Sequence, residues 1–596
     1  MKKICLTLFS ICFLVVQGCA QQPSPDMAKA ANEWPSYGRD LSNQRFSPLA
    51  QINRDNVTQL VPAWTYRSGV KATFQATPIV TGGVMYLALP FNHVVALDAR
   101  TGKELWRYEH KRREGWKMCC GPGNRGVAVS GGKVYIGTVD ARVVALDAKT
   151  GKMLWDIDAV SENVRTEGID ALHADDPFSR EKVSGGTGIG IAMAPVVYGG
   201  KVIIGITGVG YGLHIDSPRE DAPLGAVIGV AGRYGRPGFL AAFDAETGKR
   251  VWQFDTIPSE GWEGKFSPTT PDGVPLNRNI VKEKATSAQY SESWRYGGGS
   301  AWTTPAIDSR LGLLYFGTGN PSPQMDDVSR PGDNLYTVSL VALDIATGKL
   351  RWHYQQVPHD VWGYDLASPP VLFDLKRDGK MIPAVGHASK TGWFYVHDRA
   401  TGELLLKSEP FVPQSNLFVH ATPEGTRVHP GVFGGVNWSP SAVDETAQQA
   451  FVAAMHMPVR YTLHETPAAD GKPAIRYTVS EPMDEPTWGL LSSIDLQTGK
   501  IRWQHKTPEP LVGGVLATAG GLLFMGEGNG SFDAFDRDSG RLLWQYRAEA
   551  GVNAPPITYE LDGEQYVAVV AGGNQIWGYK QGDFVLVFKL NKKVAQ

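Results

Sequence analysis

Residues 96–106 read Ala96-Leu97-Asp98-Ala99-Arg100-Thr101-Gly102-Lys103-Glu104-Leu105-Trp106. The stretch is an apolar strand end, an Asp-x-x-Thr-Gly turn, and a strand start carrying Trp four residues after the Gly. It returns at Asp147–Trp155, Asp244–Trp252, Asp344–Trp352, Asp495–Trp503 and, with Ser539 for Thr, Asp536–Trp544. A worn copy at Asp398, Thr401 and Gly402 has Leu406 in the Trp place, and Trp64 looks like the tail of another copy. In such a turn the Asp side chain accepts backbone N–H bonds and Gly supplies a positive φ. The Trp then sets a large ring between neighbouring sheets. Strands such as Gly132–Gly137 and Gly200–Gly205 precede the copies, so two hairpins make a four-stranded unit. The repeat predicts an all-β, eight-bladed β-propeller, closed by pairing of the Trp64 strand with the C-terminal strands. The long gaps on either side of Asp244 are expected to hold insertions. A propeller by itself defines no chemistry.

Composition agrees. The chain has 596 residues, 42% of them hydrophobic, which is ample for a large core. Its 58 basic side chains nearly balance 60 acidic ones, and no long basic run occurs, so a nucleic-acid partner is not expected. The 68 Gly and 39 Pro are spread along the chain, as many short strands and tight turns require.

Lys2 and Lys3 precede an apolar stretch, Ile4 to Val16, too short to span a bilayer. It ends in Val16-Gln17-Gly18-Cys19, which resembles a bacterial lipoprotein box with Cys19 as the lipidated residue; ordinary cleavage after Ala20 is the alternative. The expected organisation is a signal peptide at 1–19, a short linker at 20–33 and a single propeller domain over 34–596. Either cleavage puts the mature chain outside the cytoplasm, in the periplasm, with a lipid anchor as its only membrane contact. Beyond the leader only Cys119 and Cys120 remain, and no Cys-x-x-Cys-His haem motif occurs. Adjacent cysteines are either a strained vicinal disulfide or two small buried thiols.

The context of that pair carries a resemblance. Cys119-Cys120-Gly-Pro-Gly-Asn-Arg125-Gly126 resembles the vicinal-disulfide segment of the pyrroloquinoline quinone (PQQ)-dependent alcohol dehydrogenases. Further segments match the same family in order. They are Phe74-Gln75-Ala76-Thr77-Pro78, Thr207-Gly208, Gly297-Gly298-Gly299-Ser300-Ala301-Trp302, Gly317-Thr318-Gly319-Asn320, Arg330-Pro331-Gly332-Asp333-Asn334, Ser389-Lys390-Thr391-Gly392-Trp393, Gly434-Gly435-Val436-Asn437-Trp438, Thr487-Trp488-Gly489 and Gly513 to Thr518. The resemblance implies a Cys119–Cys120 disulfide as one wall over a flat PQQ and Trp302 as the other. It implies cofactor contacts from Gln75, Arg125, Thr207, Gly208, Lys390, Asn437, Trp488 and the backbone around Leu516. Asn320 would be a metal ligand, and its neutral oxygen suits a hard cation, Ca²⁺ foremost and a lanthanide next.

Two family carboxylates are missing. Gly210 stands where the family has the metal-ligand Glu, and Gly363, in Pro358-His359-Asp360-Val361-Trp362-Gly363-Tyr364-Asp365, stands where it has the catalytic Asp. Asp365, two residues on, is the candidate replacement as base or metal ligand. An insertion between Gly212 and Arg236 carries His214, Asp216, Glu220 and Asp221, and Ala192 replaces a common Thr. The implied activity is oxidation of an alcohol or aldehyde by hydride transfer to PQQ, with electrons leaving to a separate cytochrome c or other acceptor. The alternatives are a non-catalytic PQQ- or ligand-binding propeller and a scaffold lipoprotein of the outer membrane; the retained cofactor walls weigh against the scaffold.

Overall fold

The computed structural model describes residues 31–114, 116, 120–161, 189–208, 213–214, 227–228, 236–469 and 475–591. The leader with Cys19, Cys119 and therefore the Cys119–Cys120 bridge, and Gly210 lie outside these, as do the insertion's side chains.

The turns form as the pattern predicts. Asp98 Oδ1 accepts from Arg100 N at 3.1 Å, Thr101 N at 2.8 Å and Thr101 Oγ1 at 2.8 Å. Gly102 follows at φ +73°. That glycine is required twice over, because a Cβ there would lie 2.5 Å from the Trp64 ring. Trp64 Nε1 donates to Ala99 O at 3.3 Å. The same docking recurs as Trp106 on Gly151 and Ala148 O, Trp155 on Gly248 and Ala245 O, and Trp252 on Gly348 and Ile345 O. Trp352 docks on Gly402 and Arg399 O, and Trp503 on Gly540 and Arg537 O. Each ring therefore locks one sheet to the turn of the next. Leu406 takes the position against Gly499, with no N–H to donate.

Among the described residues the strands assemble into eight antiparallel four-stranded sheets, one of which gains the short parallel strand Phe46–Ser47. The chain is a β-propeller, as the repeat predicts. Its ends are joined: Leu60–Arg67 pairs antiparallel with Phe584–Leu590, next to Glu564–Ala571 and Ile557–Leu561. The insertions are a hairpin pairing Leu213–His214 with Val227–Ile228 and a three-stranded sheet of Thr426–Val428, Val459–Thr466 and Ile475–Pro482. No helix among the described residues is long and apolar enough to cross a membrane.

One feature was not legible in the repeat. Residues 32–47 run across the ring and bond the first strands of successive sheets. Asn32, Trp34, Leu41, Ser42, Gln44 and Arg45 carbonyls accept from Glu560, Val80, Ile307, Leu372, Val443 and Ala517 N–H groups. Arg45 is fully buried, lies over the Trp34 and Tyr37 rings, and donates to Val515, Tyr37 and Pro556 carbonyls. Burial lowers its pKa to about 10.

Candidate active site

Loops entering the first strands, and loops joining the second and third strands, converge on one cavity of about 180 Å³. Gln75, Cys120, Arg125, Thr207, Trp302, Asn320, Asp365, Lys390 and Asn437 all line it. Nine of the residues expected from sequence thus meet in one place.

The loop carrying Cys120 and Arg125 is tied down from behind. His110 Nε2 bonds Asp140 Oδ1 at 2.8 Å, and Asp140 Oδ2 accepts from Arg113 N at 2.9 Å. Burial pushes the Asp140 carboxyl up, but the bonds from His110 and Thr138 outweigh it and hold it at about 2. Asn124 then donates to Gly137 O at 2.8 Å and accepts from Gly126 N at 2.8 Å, fixing the neighbour of Arg125. The Arg125 guanidinium is buried between two indoles, 4.8 Å from the Trp302 centroid and 5.1 Å from that of Trp438. Such stacking suits a planar, always-charged group.

The second cation is Lys390. Its Nζ donates to Gly363 O at 2.8 Å and ion-pairs with Asp365. Both side chains are nearly buried, at 6% and 9% exposure, so neither charge is solvated without the other. Gly434 lets Lys390 through, since a Cβ there would lie 2.5 Å from Lys390 Cγ. Asn437 donates to Phe433 O at 3.0 Å, and Asn574 donates to Gln75 Oε1 at 3.3 Å.

Asp360 organises the loop around Gly363. Its carboxylate accepts from Trp362, Gly363 and Tyr364 N–H groups at 3.1–3.2 Å and from Asn320 Nδ2 at 2.8 Å. Burial pushes this carboxyl up, with the Tyr364 N–H and the Arg330 charge pulling it back. Gly363 sits at φ +85°, and a Cβ on it would lie 2.8 Å from Val432 Cγ2 and 3.2 Å from Gln324 Nε2.

Three of the expected contact residues do not line the cavity. Trp488 is not in the cavity wall: it stacks on His456 at 3.7 Å, with Lys506 Nζ 3.9 Å above the ring. Leu516 is also absent from the lining; it lies in the apolar core, paired with Phe524. Gly208 is buried beside Thr207, at φ +82°, without lining the cavity. Conversely, Gln324, Val432, Phe433, Asn574, Ile576 and Trp577 line it without having been singled out. Only Trp577 had a readable signal, an aromatic in Asn574-Gln575-Ile576-Trp577-Gly578 near the end of the matching order.

The donor set fits PQQ. Two buried cations, several amides and indole faces suit a flat anion rich in carbonyl oxygens. For a cation the set is thinner. Asn320 Oδ1 and Asp365 are the candidate oxygens, held here by Gln324 and Lys390. No cluster of three or more His, Cys, Asp or Glu able to hold a metal occurs among the described residues.

The fold is a β-propeller whose loops meet at one cavity with a donor set suited to a flat anion, and comparison with known proteins places it further. The chain matches the PQQ family "Glucose/ethanol/alcohol dehydrogenase, beta-propeller domain" over residues 34–418 and 409–567. It is 34% identical to the quinohemoprotein alcohol dehydrogenase of Comamonas testosteroni, covering 92% of this chain and 73% of that one. It is 33% identical to the quinoprotein ethanol dehydrogenase of Pseudomonas aeruginosa, covering 94% and 88%. A europium-containing methanol dehydrogenase superposes with a TM-score of 0.75 at 27% identity, covering 95% of this chain and 99% of that one. The chain belongs to the PQQ-dependent alcohol dehydrogenase family and is a quinoprotein dehydrogenase acting on alcohols.

Proposed function

We propose that the protein oxidises an alcohol, or an aldehyde in its hydrated form, with Asp365 as the base that replaces the carboxylate missing at position 363. The observation that carries this is the Asp365–Lys390 pair inside the cavity, directly after a glycine loop that has no side chain to offer. PQQ, when bound, supplies the two-electron acceptor for hydride from the carbinol carbon. The substrate hydroxyl gives its proton to an Asp365 oxygen, the C–O bond becomes a carbonyl, and the aldehyde leaves. Lys390 pairs with Asp365 and holds it in place until the proton arrives. Arg125, clamped between Trp302 and Trp438, brings fixed positive charge to the site where negative charge develops. Cys120 and Trp302 bound the cavity as cofactor walls, with Gln75, Thr207 and Asn437 as polar contacts. Asn320 Oδ1 would help hold a hard cation, Ca²⁺ or a lanthanide, once Gln324 yields that oxygen; Asp365 as a second ligand is the alternative to its role as base.

The lipoprotein-like leader supports a periplasmic protein anchored through Cys19, passing electrons to a separate cytochrome c or another external acceptor. Radiolabelled palmitate should enter the wild type and be lost in Cys19→Ala; labelling of neither would overturn the anchor. For the activity, purified protein is loaded with PQQ plus Ca²⁺ or La³⁺ and assayed with an artificial dye acceptor on a panel of primary alcohols. Turnover with bound PQQ is expected. PQQ binding without turnover on any alcohol would favour a ligand-binding propeller instead.

A further inference from the structure

We propose that Tyr461, which lies outside the cavity, is a positioning residue for the reaction: it pins the Trp362–Gly363 peptide and, through that peptide, the Lys390–Asp365 pair. The proposal rests on the alcohol-oxidation reading above, with Asp365 as the base.

Gly363 stands at φ +85° with no side chain to anchor it. A glycine in this conformation is held only by what holds the peptide planes on either side of its Cα. Here both planes are pinned at both ends. On one side the Gly363 N–H donates to the Asp360 carboxylate at 3.1 Å, and the Trp362 carbonyl of the same plane accepts from the Tyr461 hydroxyl at 2.6 Å. On the other side the Tyr364 N–H donates to Asp360 at 3.1 Å, and the Gly363 carbonyl accepts from Lys390 Nζ at 2.8 Å. Asp360 grips the N–H edges, while Tyr461 and Lys390 grip the carbonyl edges.

The two carbonyl grips differ in kind. Lys390 lines the cavity and pairs with Asp365. Tyr461 is buried on the inserted strand Val459–Thr466 and is not in the lining. Burial pushes its phenol well above the usual range, so the hydroxyl keeps the proton that it donates. Trp362 is buried as well, so removing the hydroxyl takes a partner from a buried carbonyl.

The Lys390 ammonium divides its donors between Gly363 O and Asp365. A turn of the Trp362–Gly363 plane moves Gly363 Cα and, with it, the carbonyl that Lys390 follows. Asp365 then meets its partner at another place. The inserted sheet thus reaches the base through one hydroxyl, one peptide and one ammonium. A base displaced from the substrate hydroxyl loses rate rather than binding.

A second hydroxyl supplies the control. Tyr364 Oη donates to Pro430 O at 2.6 Å, is just as buried, and ties the same loop to the segment after Thr426–Val428. It holds a side chain and neither of the planes beside Gly363.

The test compares Tyr461→Phe with Tyr364→Phe. Amide exchange is read by mass spectrometry on the protein without substrate. In Tyr461→Phe a peptide covering residues 361–366 should exchange about tenfold faster, the worth of one hydrogen bond, with the propeller sheets unchanged. In PQQ-loaded Tyr461→Phe, kcat for a primary alcohol should fall by about tenfold, with KM and optically measured PQQ content at wild-type values. Tyr364→Phe should show neither change. Equal losses in the two variants, or unchanged exchange in Tyr461→Phe, would overturn the assignment. PQQ-loaded wild type inert toward every alcohol would overturn the oxidation reading beneath it, while the exchange rates would still decide whether Tyr461 pins the peptide.

Discussion

At the scale of single residues, position 363 shows how closely a backbone conformation and a chemistry are tied. Gly363 holds φ +85°, and its missing Cβ would press on Val432. Writing Asp back into this position should therefore not simply restore the family's base. Gly363→Asp is expected to cost about 1–3 kcal/mol, from the left-handed backbone and the contact with Val432. Urea unfolding should show this, and the loss should shrink when Val432→Ala is added; a variant as stable as wild type would contradict the geometry. The cavity residues readable in sequence were those in dense local motifs, such as Arg125, Trp302, Lys390 and Asn437. Trp488 lay in an equally tempting motif, but no local pattern says which partner a ring will choose, and here His456 and Lys506 take it. Gln324 was unreadable because its place in the cavity depends on Asn320 and Gly363, which only the folded chain brings beside it.

At the scale of elements, the Trp-on-Gly dock is the unit that repeats. Trp106→Ala removes a ring packed on Gly151 and a 3.0 Å bond to Ala148 O. About 2–4 kcal/mol of stability should be lost, since this ring is half-buried. Unchanged thermal unfolding would mean that the dock is decoration. A second element, the turn after Leu522–Gly526, holds a pH dependence. Burial, with Asp533 as hydrogen-bonding neighbour, pushes the Glu527 carboxyl up to about 8. An unfolded glutamate titrates near ~4.3, so the folded state binds this proton more tightly. The contribution is full below that value and is lost as pH rises toward 8. Glu527→Gln should flatten the fall in stability across this range by about 1–3 kcal/mol. Equal slopes for wild type and variant in denaturant titrations at several pH values would rule this out. The repeat made the turns and rings legible because their causes are local. The inserted sheet at Val459–Thr466 and Ile475–Pro482 carries no such pattern.

At the scale of the whole molecule, two devices close the ring. One, the pairing of Leu60–Arg67 with Phe584–Leu590, was foreshadowed by the unpaired Trp64. The other, the strap at 32–47 with buried Arg45, was not, because its bonds are backbone carbonyls that any sequence could offer. Truncation after Asp583 removes a strand from the middle of its sheet and exposes two edges. Such a chain should fail to give a cooperative unfolding transition, whereas a sharp transition would show that the ring does not depend on closure. Closure also fixes the spacing of loops from opposite sides of the ring, and with it the meeting of Arg125, Asp365 and Lys390 at one cavity. The most direct test of that meeting is Asp365→Asn in PQQ-loaded protein. Dye-linked oxidation of a primary alcohol should fall by about 10²–10⁴-fold in kcat while PQQ content stays at the wild-type level. An Asp365→Asn enzyme that turns over as fast as wild type would show that the proton goes elsewhere.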